Sequence, residues 1–581
     1  MPPPLMSSPA LTLKALGERI VRLPRGWQNR IWAHRARLGG RPQVAETLPE
    51  PIFLGDAEAG EGLVGGRWRA LGREVLTGRG SIRGSIWTTP LPDPRLEAER
   101  QACLWLDDLA ALGNRPARGL AQAWVQDWIN RFGAGGGPGW EPEAAGRRAK
   151  RWAVHATLLT QGLDRGGADR FWRALAAHQR YLARAWPRAA EGLPRLRAVA
   201  GLVWSGVVLP HSGQATALAE MAALADELVD AEGGTPSRAP EDLSEVLTLL
   251  IWTARILDNA GQQAMAPHLQ AIVRAVPVLR PLRMGDGGVA RFHGGGAGTP
   301  ERVDQALAEL RLVAQPKPRL PMGYARLAGG RVVVVMDAAA PPAGAGALTA
   351  HAATLAFEMS AGRQRLVVNA GPGRVFGGDW TLFSRQTAAQ STVEVDGRST
   401  ARFDDRGLVA KTFGTRLAGG PALVSVRQAQ DATGQWLLAT HDGYVASHGL
   451  LHERRLFVDA RGQELRGEDI LTVADARSRG QFQRAAPSGR VGFAARFHLH
   501  PAVASELDEA RQIVLLRLPG GEAWMFRTGG GLLALEDSVF FDRGAAAPLP
   551  ARQVVVRSEV VEYLGQITWS FGRIAEAHPA S

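Results

Sequence analysis

Two hydrophobic patterns divide this chain. From Leu104 to Leu282 the apolar residues return at helical spacing, as in Trp124, Trp128 and Phe132 on a single stripe. Ala117–Phe132, Pro142–Gln161, Ala168–Trp186, Pro194–Leu209, Ala215–Ala231, Pro240–Ala260 and Ala266–Leu282 are each bounded by glycine, proline or polar residues. This predicts a run of helices with short loops. No heptad register runs through them, so a coiled coil is excluded. Helices paired in this way pack as αα-hairpins into a bundle, a solenoid or a closed toroid.

After Gly285 the glycines cluster, and the period changes. Short alternating or wholly apolar runs follow, among them Arg331–Asp337, Leu450–Asp459, Glu464–Leu471, Gly492–Leu499 and Arg552–Glu559. The stretch Ala350–Gly373 marks the change: Leu355–Met359 and Leu366–Val368 flank Ser360-Ala361-Gly362-Arg363, a strand–turn–strand pattern. Many short strands at this spacing predict an antiparallel sandwich. The expected organisation is an irregular N-terminal lead at 1–90, a helical domain at 91–312, a linker at 313–319 and a β-sandwich at 320–575.

Length and composition agree with two large globular domains. The chain has 581 residues, 45% apolar and 21% charged. Its single cysteine, Cys103, excludes a disulfide framework and a cysteine-based zinc module. The formal net charge is +12, carried by dispersed arginines, which favours a polyanionic partner. No nucleic-acid module accompanies that charge, so nucleic acid is not the expected partner. No run reaches the ~18 apolar residues of a membrane span. Lys14, Glu18 and Arg19 interrupt the N-terminal apolar stretch, so it does not read as a standard signal peptide.

Candidate chemistry lies in both halves. Arg151, Trp152, His155 and Trp204 recur along the helices, and Arg238 sits in a Gly/Pro-flanked turn. Arginine grips carboxylates with two parallel hydrogen bonds, and tryptophan stacks on sugar faces, so such a trough suits a sugar acid. Inter-helix core is the alternative reading for the tryptophans. Arg291 and His293 precede an exposed glycine run. In the second half His351, His441, His448, His452, His498 and His500 gather, with Tyr444 three residues after His441. None of their spacings is that of a zinc site.

The blocks HAATLAFEMSAGRQRLVVNAGPG, QSTVEVDG, HDGY, HERRL and RFHLHP resemble the C-terminal domain of the bacterial heparinase II/III family. WLDDLAALG, GRRAKRW and DGGVARFHGGG extend the resemblance through the helical half to alphaproteobacterial-type members. The resemblance implies an incomplete (α/α) toroid followed by a β-sandwich, in the cell envelope or periplasm; without a standard signal peptide, the cytoplasm is the alternative. It implies a polysaccharide lyase that cleaves an acidic, uronic-acid-containing glycan by β-elimination without a cofactor. Arg238 would neutralise the uronate carboxylate, and His351, His441 or Tyr444 would supply base and acid. Arg151, Trp152, His155, Trp204, Arg291 and His293 would bind substrate. The chain departs from the family pattern at Ala353, Asn369, Gln390 and Leu243, where polar partners and a tyrosine are expected. A zinc site around His351 is therefore not expected. The second reading is a glycan-binding or envelope scaffold of the same fold that has lost turnover.

Overall fold

The computed structural model describes residues 26–50, 55–77, 85–310 and 319–574. The expected linker lies outside these residues except for Arg319, as does the start of the N-terminal lead. Within the lead, Ala57–Val64 is helical and Arg67–Ala70 pairs with Arg73–Leu76.

Helices then follow one another: α1 (Trp105–Leu112), α2 (Arg115–Phe132), α3 (Pro142–Val154), α4 (Arg165–Ala185), α5 (Leu193–Val208), α6 (Gln214–Leu228), α7 (Pro240–Asn259), α8 (Ala266–Leu279) and α9 (Pro300–Ala308). Their starts are encoded locally. Asn114 and Asp164 accept backbone N–H bonds as N-caps of α2 and α4. Proline occupies the first turn of α3, α5, α7, α8 and α9, where its missing N–H costs nothing. Helix α5 is buried on nearly every side beyond its first turn, as its apolar sequence requires. It meets α3 backbone to backbone at two glycines. A Cβ on Gly201 would lie 2.3 Å from the Gly146 carbonyl oxygen, and one on Gly146 would lie 2.6 Å from Ala198 Cα.

The second half is built on one antiparallel sixteen-stranded sheet folded over on itself, with a separate two-stranded ribbon of Arg402–Asp404 and Arg416–Ala418. The strands of the sheet are β1 (Tyr324–Gly329), β2 (Val332–Asp337), β3 (Phe357–Ala361), β4 (Gln364–Val368), β5 (Val393–Val395), β6 (Val424–Gln430), β7 (Gly434–Tyr444) and β8 (Leu450–Asp459). They continue as β9 (Glu464–Val473), β10 (Arg490–Leu499), β11 (Ala504–Asp508), β12 (Ile513–Arg517), β13 (Ala523–Gly529), β14 (Leu532–Phe540), β15 (Leu549–Val561) and β16 (Leu564–Arg573). The main path runs β6-β7-β8-β9-β16-β15-β10-β4-β3-β2-β1. Its two ends meet: Ala328 N–H bonds Gln435 Oε1 at 2.9 Å, and Gly330 N–H bonds the Ala460 carbonyl at 3.0 Å.

Alternation fixes the sandwich core. In β8 Leu450, His452, Arg454, Leu456 and Val458 point inward, and the residues between them face out. Phe357 stacks on Trp569 at 5.6 Å, with Phe497 and Phe571 packed around them. Strand β11 and the helix Ala476–Ala485 lie where the sequence pattern predicts neither. The helix carries mostly polar residues, so it has no wide apolar stripe; Asp475 starts it by capping Ser478 N–H at 2.7 Å. Among the described residues no helix is long and apolar enough to cross a membrane.

The hairpin β3–β4 touches the helical half. Its tip presses on the loop after α8, where a Cβ on Gly285 would stand 1.8 Å from the Gly362 carbonyl oxygen. Gly285 N–H also bonds Ser360 Oγ at 3.0 Å.

Candidate interdomain site

Arg238 lies just before α7 with φ +52, a left-handed conformation that aims it out of the helical half. Its guanidinium crosses to the sandwich. Nε donates to the Met322 carbonyl at 2.8 Å, Nη1 to the Ala340 carbonyl at 2.6 Å and Nη2 to Asp337 Oδ1 at 2.5 Å. Tyr324 donates its hydroxyl to the Arg238 carbonyl at 2.5 Å. Asp337 ends β2 fully buried, and its other oxygen lies 3.1 Å from His293 Nε2. His293 Nδ1 accepts the His351 backbone N–H at 3.2 Å, which places the imidazole proton on Nε2, facing Asp337. His351 Nδ1 is 3.4 Å from Gln390 Nε2.

Arg238, Asp337, His293 and His351 therefore form one chain across the domain boundary. Burial raises the Asp337 carboxyl, but Arg238 and then His293 outweigh it and hold it below its ordinary value. Burial lowers the His351 imidazole well below its usual range, with His293 and Arg385 adding to the effect. Arg238 is thus already paired with a carboxylate of its own chain, and it is not poised to neutralise one on a substrate.

His441 and Tyr444 lie elsewhere. Both are buried in the sandwich, and the Tyr444 hydroxyl donates to the Val393 carbonyl at 2.7 Å. His441 Nδ1 accepts Gly443 N–H at 3.0 Å, its Nε2 meets His452 Nδ1 at 3.1 Å, and His452 Nε2 meets Asp469 Oδ1 at 2.8 Å. This assigns one proton to each ring, on Nε2, and leaves both histidines neutral. Arg454 grips Asp469 with two bonds, at 2.7 and 2.9 Å, and Trp569 Nε1 donates to the same carboxylate at 2.9 Å. These residues form a satisfied core network, sealed from any cleft.

The helical candidates are also committed within the fold. Arg151 and His155 both bind Asp107, at 2.7 and 2.9 Å. Trp152 packs edge-on against Trp128 at 5.4 Å, and Trp204 Nε1 donates to Thr253 Oγ1 at 2.9 Å. Neither indole offers a face to a sugar, because both are fully buried. Arg151 does line a cavity of about 60 Å³, together with Arg147, Lys150, Arg197, Arg302 and Glu245.

An open cleft lies between the domains. Its volume is about 440 Å³, and its walls include Glu241, Asp286, Arg291, Arg365, His500 and Arg543. Arg365, on β4, is held by Asp286 at 2.7 Å and Glu358 at 3.0 Å. Arg291 lies 3.8 Å from the centre of the Phe540 ring and donates to the Asn369 carbonyl at 3.3 Å. Burial lowers the Arg291 guanidinium to about 10 despite the nearby Glu358. Arg543 bridges Glu241 at 3.1 Å and the Gly294 carbonyl at 2.7 Å. Burial, Arg291 and Arg365 push the His500 imidazole down to about 4, so it is neutral at pH 7. Its Nδ1 accepts Ala502 N–H at 3.2 Å, which leaves its proton on Nε2. His500 thus presents an N–H donor rather than a free basic lone pair.

The structure brings Arg238, His293 and His351 together, and it places Arg291 nearby in the cleft wall. It separates His441, Tyr444 and the helical tryptophans from them. Asp337 and Arg365 escaped the sequence reading, which named His500 only as one of the gathered histidines and gave it no role. Asp337 carried one usable signal, a carboxylate closing the apolar run Val332–Met336. Around His351 the residues do not fit a zinc ion. Ala353 supplies no ligand, and Asn369 Oδ1 already accepts Ser391 N–H at 2.9 Å. Among the described residues no three histidine, cysteine or acidic side chains converge on a metal position.

The buried histidines make stability depend on pH. His178, His293, His351, His441 and His452 are all shifted downward, chiefly by burial, and His498 falls to about 4. The unfolded chain therefore binds more protons than the native one between about pH 6.5 and 4, and stability falls as pH drops through that window. Each such group contributes a slope of up to about 1.4 kcal/mol per pH unit. Thermal unfolding should show a plateau above about pH 7 and a steep loss below it. A midpoint unchanged between neutral pH and the lower end of the window would contradict the neutral assignments.

The comparisons with known proteins agree with this architecture. Residues 314–570 match the family described as Heparinase II/III-like, C-terminal. FtsZ-localized protein C of Caulobacter vibrioides is 32% identical over 552 residues, which cover 92% of each chain. The crystal structure of heparinase III superposes with a TM-score of 0.66 at 10% identity, covering 99% of this chain and 93% of that one. Heparan sulfate lyase HepC from Pedobacter heparinus gives a TM-score of 0.53 at 13% identity, with 95% and 88% coverage. The structural likenesses establish the fold, a helical toroid followed by an antiparallel β domain, and the sequence relationships establish the lineage: this chain belongs to the bacterial heparinase II/III-like family.

Proposed function

We propose that this protein is a heparinase-fold scaffold that works alongside FtsZ at the cell envelope and holds acidic ligands without eliminating them. One observation carries the reading: none of the four tyrosines reaches the interdomain cleft. Tyr181 donates its hydroxyl to the Trp140 carbonyl, Tyr324 to Arg238 and Tyr444 to Val393, while Tyr563 sits at the β15–β16 turn beside Gln483. Elimination needs a base to take the weakly acidic proton beside a uronate carboxylate, and a cation or polarising group to hold the developing charge. Arg238 is spent on Asp337, and His500 offers a donor N–H. The relative named for its localisation with FtsZ, at 32% identity, supports the cellular placement.

The second reading is turnover of a uronic-acid polymer, favoured by the lyase fold and by Arg291 and Arg365 in the cleft wall. Purified protein incubated with heparin, heparan sulfate, chondroitin and alginate separates the two. We expect no rise in ultraviolet absorbance from a new carbon–carbon double bond, and we expect a fluorescent fusion to coincide with labelled FtsZ in the source bacterium. Absorbance that grows with enzyme concentration on any polymer would establish turnover instead. A fusion that never overlaps FtsZ would remove the proposed placement.

A further inference from the structure

A groove of about 910 Å³, larger than the interdomain cleft, lies on the outer face of the sandwich, across β6, β7, β8, β9, β16 and β13. Strand register builds it from two rows of side chains on one face. Ala429, Trp436, Phe457, Arg466, Ser570 and Arg527 stand opposite one another in turn, strand to strand. The neighbouring row is Arg427, Leu438, Arg455, Glu468 and Thr568. At about 4.8 Å per strand step the groove is roughly 24 Å across, the reach of an extended chain of about seven residues.

Trp436 and Phe457 pack at 4.2 Å in the middle, and Trp436 is 47% exposed. Arg455 and Arg466 are neutralised in place, by Glu453 and Glu468 and by Glu464. Arg427 and Arg527 stand exposed at opposite ends of the rows, and among the described residues neither pairs with a carboxylate. Arg527 Nε instead contacts Met525 Sδ at 3.0 Å. An aromatic centre with arginines at the rim is the composition of a protein-binding hot spot. The floor of Ala429, Leu438 and Phe457 is apolar and suits aliphatic or aromatic side chains of a peptide.

We infer that this groove docks an extended acidic peptide segment of a partner protein, with apolar side chains on Trp436 and Phe457 and carboxylates on Arg427 and Arg527. The inference goes beyond the reading of the cleft and stands whether or not the cleft turns over a glycan.

Phage-displayed random peptides selected on the full chain test it, with Trp436→Ala combined with Arg427→Glu and Arg527→Glu as the comparison protein. All three side chains are surface residues of the groove, and circular dichroism and melting check that the variant remains folded. Arg406→Glu, an exposed arginine outside the groove, serves as the charge control. The expected result is enrichment of acidic peptides carrying leucine, phenylalanine or tryptophan. They should bind the variant at least about tenfold more weakly, bind the charge control normally, and protect amides at 427–438 and 455–468 from hydrogen exchange. Peptides that bind the variant equally well would overturn the proposal. So would selection without acidic enrichment, or stronger protection of the same amides by heparin oligosaccharide than by any selected peptide.

Discussion

Asp469→Ala should destabilise the sandwich by about 3–5 kcal/mol, the cost of stranding one member of a buried ion pair. Asp469 and Arg454 are both fully inaccessible, and the carboxylate also takes the His452 and Trp569 N–H groups. Its removal leaves a guanidinium and two ring N–H donors in a core that water does not reach. Burial alone would raise the Asp469 carboxyl, yet Arg454 and His452 together carry it far below its ordinary value. Urea unfolding should show a lowered midpoint with little change in slope. Asp469→Asn keeps an acceptor and should lose less. Replacing both partners with apolar residues, Asp469→Leu with Arg454→Met, should recover part of the loss, because the stranded charge is then gone. An unchanged midpoint for Asp469→Ala would show that Arg454 finds another partner.

Asp337→Ala should have a loss of similar size, about 3–5 kcal/mol, and it should act at the junction of the domains. Asp337 joins Arg238 from the helical half to His293, and His293 in turn accepts the His351 N–H. Without the carboxylate Arg238 keeps its carbonyl acceptors but loses its counter-charge. Hydrogen exchange should quicken around 236–240 and 291–296, while β8 and β9 keep their protection. Uniform quickening through the sandwich, or none at the junction, would place the role of Asp337 elsewhere. Asp337→Asn retains the shape and should fall between wild type and alanine.

These two networks also show where a sequence is legible. His452 and Arg454 share an inward face because alternation in a strand is a local property. Their partner Asp469 belongs to the next strand, but the Cα register places it opposite Arg454. No local pattern states that register. The tryptophans of α2 and α3 fit the core reading for the same kind of reason: a stripe at helical spacing predicts burial and does not specify the neighbour. Arg238 looked ligand-facing because a glycine- and proline-flanked turn normally meets solvent. Its carboxylate, Asp337, lies in the other domain, and only docking of the domains consumes it.

The sequence by itself determined the class of each half, the hairpin at Ala350–Gly373 and the family lineage. Period, caps, prolines and turn glycines act over a few residues, and each can be read where it stands. Tertiary structure decided which polar groups remain available. It buried Tyr444 and His441, spent Arg238 on Asp337, and gave the cleft to Arg365 and His500. Availability depends on what packs against a group from distant parts of the chain. Burial and pairing are therefore set by contacts that no local spacing records.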